Sequence, residues 1–158
     1  MPRDHEHYLR LAIAEALRGK AAGEFPFGAL VVDPAGEVVV AGHDTAVADG
    51  DRSSHAETML VKRACKLRGP DLIDHTVYTT TEPCPMCFTT CWLAKVGTIV
   101  WGATMAQVAA KTRGMLHELT YPAPPLNAYA GDRIRLYGGV LADECLAMFD
   151  DLSGVRAT

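Results

Sequence analysis

The length, composition and charge of the chain are those of an ordinary globular domain. It has 158 residues, of which 49% are hydrophobic and 22% are charged, so it can form a core without disulfides and is not a disordered protein. The formal net charge of −4 supplies no global positive field, which disfavours nucleic acid and anionic membranes as partners.

The first predicted element is an amphipathic helix over residues 4–22. The apolar residues that recur at helical spacing are Leu9, Ala12, Ile13, Ala16 and Leu17. Gly23 follows them at the position of a C-terminal cap. Charged residues interrupt this run, so it lacks the apolar core of a signal peptide, and no stretch approaches the about 20 apolar residues that span a bilayer. We therefore expect a cytoplasmic protein without membrane contact, in which the five cysteines stay reduced.

Strands and helices alternate through the rest of the chain. Two β-rich runs flank a turn at residues 33–36 and predict a hairpin. A polar loop then ends in Ser53 and Ser54, which are N-cap candidates for a helix that stops near Gly69. The later predicted elements are a strand at 76–80, a helix at 84–95, a strand at 97–103, a helix within 104–117, a proline-rich loop at 121–131, a strand at 133–140 and a helix from 141. This order predicts one α/β domain with helices packed on a sheet.

Two short motifs, "HAE" at residues 55–57 and "PCPMC" at residues 83–87, stand at predicted helix starts. Helix N-termini expose unpaired N–H groups and a partial positive charge, which favour anionic ligands. If the two helices start side by side, the imidazole of His55 and the thiolates of Cys84 and Cys87 converge. One His and two Cys make a three-ligand zinc set that leaves the fourth tetrahedral position open for water, as in a catalytic site.

Glu57, two residues after His55, supplies a carboxylate beside such a site. Zinc lowers the pKa of its bound water towards neutrality. A neighbouring carboxylate can accept the proton of that water and pass it to a leaving amine. The combination suits hydrolytic removal of an amino group from an aromatic C–N ring, with release of ammonia.

Simpler interpretations of these residues remain open. The C-x-x-C pair could belong to a structural zinc site with Cys91 or His43 as fourth ligand, but such a site gives Glu57 no role. The pair could also form a redox disulfide, but a disulfide gives the "HAE" motif no role. Glu57 could be a first-turn glutamate stabilised by the helix dipole. Cys65 and Cys91 themselves are expected to be buried apolar residues. The remaining histidines, including His117, have no spacing that implicates them.

The two motifs together resemble the H-x-E…P-C-x-x-C signature of the cytidine-deaminase superfamily. Around them, "EFPFGALVV", "TTEPCPMC" and "GGVLADEC" resemble segments of the guanine-deaminase and transfer-RNA adenosine-deaminase branches, so the likeness covers nearly the whole chain. The resemblance implies a three-layer α/β/α fold around a central mixed five-stranded sheet, in a single zinc-dependent deaminase domain over residues 1–158. It also implies one Zn²⁺ per chain with a bound water or hydroxide, and a homodimer.

Carried onto this sequence, the resemblance implies that the zinc ligands are His55, Cys84 and Cys87. It implies that the proton-shuttling acid is Glu57, and that the substrate contacts are Phe27, Asp44 and Ala56. Phe27 would lie against the substrate ring, and the backbone around Ala56 would contact the base. Asp44 stands where the family usually has an Asn that hydrogen-bonds the base. Since an ionised Asp only accepts hydrogen bonds whereas Asn also donates, the substrate should present N–H or O–H groups to Asp44, unless Asp44 is protonated.

Three functional classes follow from these observations. The first is deamination of a free base, nucleoside or related small amino-heterocycle, with guanine-type rings first; the second is deamination of adenosine in transfer RNA; the third is a non-catalytic zinc-stabilised module. The net charge and the few cations within 104–135 favour a small molecule over RNA, although "GGVLADEC" resembles the RNA-acting branch. Guanine deaminases also tend to use a second acid after the fourth strand. Residues 103–116 contain no acid, and Glu118 is the nearest.

Overall fold

The protein folds around a mixed five-stranded sheet. The structure is a computed structural model that describes residues 3–156. Its strands, in the spatial order β2-β1-β3-β4-β5, are β1 (Gly28–Val32), β2 (Val38–His43), β3 (Thr76–Thr81), β4 (Thr98–Ala103) and β5 (Arg135–Tyr137). β1 pairs antiparallel with β2 and β3, whereas β3, β4 and β5 are parallel. The predicted hairpin and the mixed five-stranded sheet are both confirmed.

Helices cover both faces of the sheet. They are α1 (His5–Ala21), α2 (Ala46–Asp49), α3 (Ala56–Arg68), α4 (Pro85–Leu93), α5 (Met105–Thr112), α6 (Ala123–Tyr129) and α7 (Ala142–Ala147). Apolar residues of α1, α5 and α7 share one hydrophobic cluster with the sheet, and those of α3, α4 and α6 share the other. Successive strand residues point to opposite faces, so Leu30 of β1 belongs to the first cluster and Val31 to the second. The three-layer α/β/α arrangement is confirmed. Within residues 3–156, no helix has the length and apolar character needed to cross a membrane.

The central strands β1, β3 and β4 are buried along their whole length because helices pack on both of their faces. α1 crosses β1 closely at Gly28, where a Cβ atom would overlap the backbone of Ala12 and Ala16. Only glycine fits at this crossing. The close contact positions Phe27, the residue before β1, at the edge of the sheet where β2 ends.

α3 begins differently from the sequence prediction. Its N-cap is His55 rather than Ser53 or Ser54, and the His55 side chain makes no capping hydrogen bond. Instead, the N–H of Ala56 in the first turn donates to Oδ1 of Asp44 at 2.8 Å. Asp44 lies twelve residues earlier in the chain. Capping by such a distant side chain depends on the tertiary fold, so a local cap pattern does not identify it.

Two loop predictions were wrong, and one helix is shorter than the range within which it was predicted. The polar loop after β2 contains the short helix α2, and α5 ends at Thr112 because Arg113 (φ 53°) and Gly114 (φ 73°) take the left-handed conformation that terminates helices. The proline-rich segment forms α6 rather than a loop. Its prolines are tolerated because they stand in the first turn, where backbone N–H groups have no partner inside the helix.

Candidate active site

Three strand ends bring the two sequence motifs to one edge of the sheet. β1 begins at this edge opposite the end of β2, where Gly28 pairs with His43, and β3 ends beside them. α3 and α4 begin at the same edge and contact each other. His55 is the N-cap of α3 and Cys84 is the N-cap of α4. The two helices therefore start side by side, as the convergence of the motifs requires.

The donor atoms of His55, Cys84 and Cys87 meet between these helix starts. Nδ1 of His55 lies 3.6 Å from Sγ of Cys84 and 3.5 Å from Sγ of Cys87. In a tetrahedral zinc site, metal–ligand bonds of about 2.0–2.3 Å place the ligand atoms about 3.5–3.8 Å apart, so this donor set fits one Zn²⁺. Within residues 3–156, no other group of at least three His, Cys, Asp or Glu donors lies close enough to hold a metal ion. Cys91 and His43 do not belong to this group, so the geometry does not support a structural four-ligand site.

The electrostatics of the donor group also suit a cation. A hydrogen bond with Cys87 is the main cause that lowers the pKa of Cys84 to about 4, so Cys84 is a thiolate, the form that binds metals. Burial lowers the pKa of His55, but the hydrogen bond to Cys84 and the carboxylates of Asp44 and Glu57 outweigh burial and raise it to about 10. Positive charge is thus strongly favoured at this point of the protein.

Glu57 lies buried in the first turn of α3, beside the donor group. Its Oε2 lies 3.6 Å from Sγ of Cys87, and its Oε1 accepts a 2.9 Å hydrogen bond from the Thr79 hydroxyl on β3. Burial raises the pKa of the Glu57 carboxyl. The Thr58 hydroxyl donates to Sγ of Cys87 at 3.3 Å. A carboxyl held in one orientation with a raised pKa is suited to accept and release a proton, and Thr79 supplies that orientation although no sequence pattern indicates it.

A cavity of about 230 Å³ opens beside the donor group. Its wall is formed by Phe25, Phe27, Asp44, Ala46, Arg52, His55, Met115, Leu116, His117 and Glu118. A narrower cavity shares four of these residues and extends to Glu57 and Cys84. Sites for drug-sized ligands measure about 300–1,000 Å³, so this cavity suits a single small ring system.

The predicted substrate contacts are placed unequally. Phe27 and Asp44 line the cavity, whereas Ala56 is not part of its wall and donates its N–H to Oδ1 of Asp44. The ring of Phe27 packs edge-on against Phe149, with centroids 5.4 Å apart. Asp44 is 6% exposed, and burial, followed by the charge of Glu57, raises the pKa of its carboxyl well above the ordinary value. Since Ala56 engages Oδ1, the Oδ2 atom of Asp44 is left to meet a ligand.

The cavity wall at residues 115–118 is the part of the site that sequence patterns miss. This segment has no helix or strand and therefore no periodicity. His117, which is exposed to solvent as expected, and Glu118 both line the cavity. Burial raises the pKa of Glu118 to about 7. One signal was available, because Glu118 is the single acid within residues 104–131.

Comparison with known proteins shows which family the chain belongs to. Residues 2–103 match the family described as "Cytidine and deoxycytidylate deaminase zinc-binding region". The tRNA(Ile)-lysidine synthase of Deinococcus radiodurans is 35% identical over 144 residues, which are 90% of this chain and 23% of that protein. The tRNA-specific adenosine deaminase of Bacillus subtilis is 36% identical over 99 residues, 62% of this chain and 61% of the relative. Guanine deaminase of B. subtilis is 32% identical over 108 residues, 67% and 69% of the two chains. The chain thus spans about a quarter of the first relative and about two thirds of the other two.

The fold has a close counterpart among solved structures. Guanine deaminase from Nitrosomonas europaea superposes with a TM-score of 0.83 over 96% of this chain and 85% of that chain, at 23% sequence identity. At this identity the likeness shows the fold. The family match covers more than half of the chain and includes both motifs, and the His/Cys/Cys donors fit the zinc ion in the family's description. The chain therefore belongs to the cytidine and deoxycytidylate deaminase zinc-binding family.

Proposed function

We propose that the protein hydrolyses the exocyclic C–NH₂ bond of a small amino-heterocycle, with guanine-type bases first. The observation that carries this proposal is the buried carboxylate of Glu57, which Thr79 orients beside a donor group that fits Zn²⁺. The small cavity at the same point favours one ring system. Among the relatives is a guanine deaminase, and solved structures with TM-scores of 0.83 and 0.84 hold 8-azaguanine and 2,6-diaminopurine.

In this proposal His55, Cys84 and Cys87 hold the zinc ion, which when bound activates water for attack at neutral pH. Glu57 accepts the proton of the attacking water and delivers it to the amino nitrogen. A C–O bond forms and the C–N bond breaks, so water and the aminated ring become a ring carbonyl and ammonia without any oxidant or reductant. Phe27 packs against the ring, and Asp44 binds its polar edge.

Ammonia release across a panel of free bases, nucleosides and amino-triazines tests this function. We expect turnover of a guanine-type free base and weaker turnover of nucleosides, because the cavity of about 230 Å³ leaves little room for a sugar. The protein should carry zinc during the assay. If no member of the panel and no transfer RNA is deaminated by zinc-loaded protein, the domain is a non-catalytic zinc-stabilised module.

Adenosine in transfer RNA is the second candidate substrate. The segment that walls the cavity exposes Met115, Leu119 and Tyr121 to solvent, and the aromatic ring of Tyr121 can stack on an unpaired base. Two of the relatives described above are named for action on transfer RNA. Incubation with an anticodon stem-loop, read out as inosine by sequencing, tests this candidate. Inosine formation without ammonia release from free bases would replace the first proposal.

The Asp44→Asn substitution should change which rings are accepted. Asn can keep the 2.8 Å hydrogen bond from Ala56 through its carbonyl oxygen. Where Asp44 is ionised, the atom that meets the ligand therefore changes from a carboxylate acceptor to an NH₂ donor. The kcat/KM of rings that present a carbonyl or ring nitrogen should rise relative to that of rings that present N–H groups. An unpaired buried polar group costs about 1–3 kcal/mol, so the ratio of kcat/KM values between the two ring types should shift about tenfold or more.

The measurement is kcat/KM for the same panel on both proteins, since specificity is a ratio of these values. Asp49→Asn is the matched control, because Asp49 lies on α2 outside the cavity wall and pairs with Thr45. The control should keep the wild-type profile. Ratios for Asp44→Asn that stay within about threefold of wild type, well below 1.4 kcal/mol, would show that Asp44 does not present an ionised carboxylate to the substrate.

Glu118→Gln should lower kcat by about tenfold or more while zinc content stays unchanged, because we propose Glu118 as a second proton carrier. Its carboxyl lines the same cavity as His55 and Asp44. Glu144→Gln is the matched control, since this surface glutamate pairs with Arg10 outside the cavity. Equal kcat values for Glu118→Gln and wild type would assign Glu118 to the cavity wall only.

The predictions of a cytoplasmic protein, a single domain and a homodimer stay predictions. Light scattering of the purified protein measures the last of them. A homodimer should have twice the 17.0 kDa mass of one chain, and a mass of one chain at assay concentration would contradict it.

A further inference from the structure

A buried carboxylate next to the second motif ties two helix starts together. Glu82 follows β3, two residues before Cys84, and is 5% exposed. Its Oε1 accepts a 3.1 Å hydrogen bond from the N–H of Met105, the first residue of α5. Its Oε2 accepts a 2.9 Å hydrogen bond from the N–H of Ala123, the first residue of α6. First-turn N–H groups have no partner inside their helix and carry partial positive charge, so they suit a buried carboxylate.

The segment that walls the cavity lies between the end of α5 and the start of α6. α5 precedes and α6 follows residues 113–122, which form neither helix nor strand. Leu116, His117 and Glu118 lie within this segment and line the cavity. A segment without regular structure is positioned by its ends, because fixing the ends restricts the conformations between them. Glu82 therefore anchors, through α5 and α6, both ends of the wall that carries Glu118.

We propose that Glu82 is a positioning residue that holds residues 113–122, and with them Glu118, against the substrate. This proposal rests on the deaminase function proposed above, in which Glu82 would act on catalysis through Glu118. Although Glu82 also lines the narrower cavity, both of its oxygens are engaged by backbone N–H groups, so it does not act on the substrate directly. Gln at this position offers one acceptor and one NH₂ donor, so it can satisfy one helix start and opposes the other.

Hydrogen–deuterium exchange of zinc-loaded Glu82→Gln tests the anchoring without any substrate. Below the unfolding temperature, residues 113–122 and the amides of Met105 and Ala123 should exchange at least several-fold faster than in wild type, with one zinc per chain retained. Thr104→Ala is the matched control, because it removes the side-chain cap of α5 and leaves the Glu82 contacts in place. In that variant the first turn of α5 should exchange faster and residues 113–122 should not.

Kinetics of a double variant test whether Glu82 acts through Glu118. Placing a catalytic group about 1 Å away from its productive position can cost about 10²-fold, so Glu82→Gln should lose about tenfold or more in kcat/KM. If the loss arises through Glu118, Glu82→Gln combined with Glu118→Gln should be no slower than Glu118→Gln alone, within about twofold. A purely structural role would lower the unfolding temperature and leave the kinetics of the folded protein unchanged.

Three results would overturn the proposal: unchanged exchange in residues 113–122, losses in the double variant that multiply, or loss of zinc from Glu82→Gln. The last would mean that Glu82 holds Cys84 rather than the wall segment. If Glu82→Gln does not fold, Glu82→Asp is measured in the same way, since Asp keeps two acceptors but is one methylene too short to reach both helix starts. If wild type releases no ammonia, the proposed function fails, and the exchange experiment still decides the anchoring.

Discussion

Substitution of Glu57 by glutamine is expected to abolish ammonia release while the protein keeps its fold and one zinc per chain. The amide has the size of the carboxylate, and its carbonyl oxygen can keep the 2.9 Å hydrogen bond from Thr79. It cannot take up a proton and pass it on. A general acid/base group contributes about 10²–10⁴-fold to a rate, and Glu57 is proposed to move the proton in both directions. We therefore expect kcat to fall by about 10³-fold or more.

The measurement is kcat for ammonia release with the best substrate of the panel, together with zinc content and thermal unfolding. Glu144→Gln, which makes the same substitution at a surface carboxylate paired with Arg10, should keep wild-type activity. If Glu57→Gln keeps more than about a tenth of wild-type kcat, the acid/base role belongs to another residue. Glu118 is then the next acid to test, because it lines the same cavity.

Removal of a zinc ligand is expected to have the second large effect, on both metal content and stability. Purified wild type should hold about one zinc per chain, and His55→Ala and Cys84→Ser should lose it, because two remaining donors do not make a zinc site. The ion joins the start of α3 to the start of α4. Zinc at 1,000 times its Kd would stabilise the folded state by about 4 kcal/mol, so the unfolding temperature should fall by about 10 °C in these variants.

Metal analysis and thermal unfolding of the purified variants measure both effects. Cys91→Ala is the matched control, since Cys91 is a buried thiol one turn after Cys87 and lies outside the donor group. It should keep stoichiometric zinc. Stoichiometric zinc in both His55→Ala and Cys84→Ser would disprove the ligand assignment. Loss of zinc from Cys91→Ala would instead favour the structural four-ligand site.

Much of the molecule could be predicted because its signals are local. "HAE" and "PCPMC" each lie at one helix start, so the spacing of His55 and Glu57, and of Cys84 and Cys87, follows from the geometry of a single turn. β1, β3 and β4 are short runs between turn signals, and their alternation with helices indicates layers on a sheet. The short helices α2 and α6 were missed, because helices of one or two turns are too short to show a helical period and the prolines of α6 indicated a loop.

The sequence by itself therefore determined the order of the strands and of the longer helices, the layered fold and the residue types of a zinc-fitting donor group. The tertiary structure decided which polar side chains surround that group. Asp44 caps α3, Thr79 orients Glu57, and Glu82 joins the starts of α5 and α6. Each of these contacts joins parts of the chain that are distant in sequence, and each depends on which strand ends meet at one edge of the sheet. The packing of helices on the sheet determines which strand ends lie side by side, whereas the spacing of residues along the chain determines only the contacts within one helix or strand.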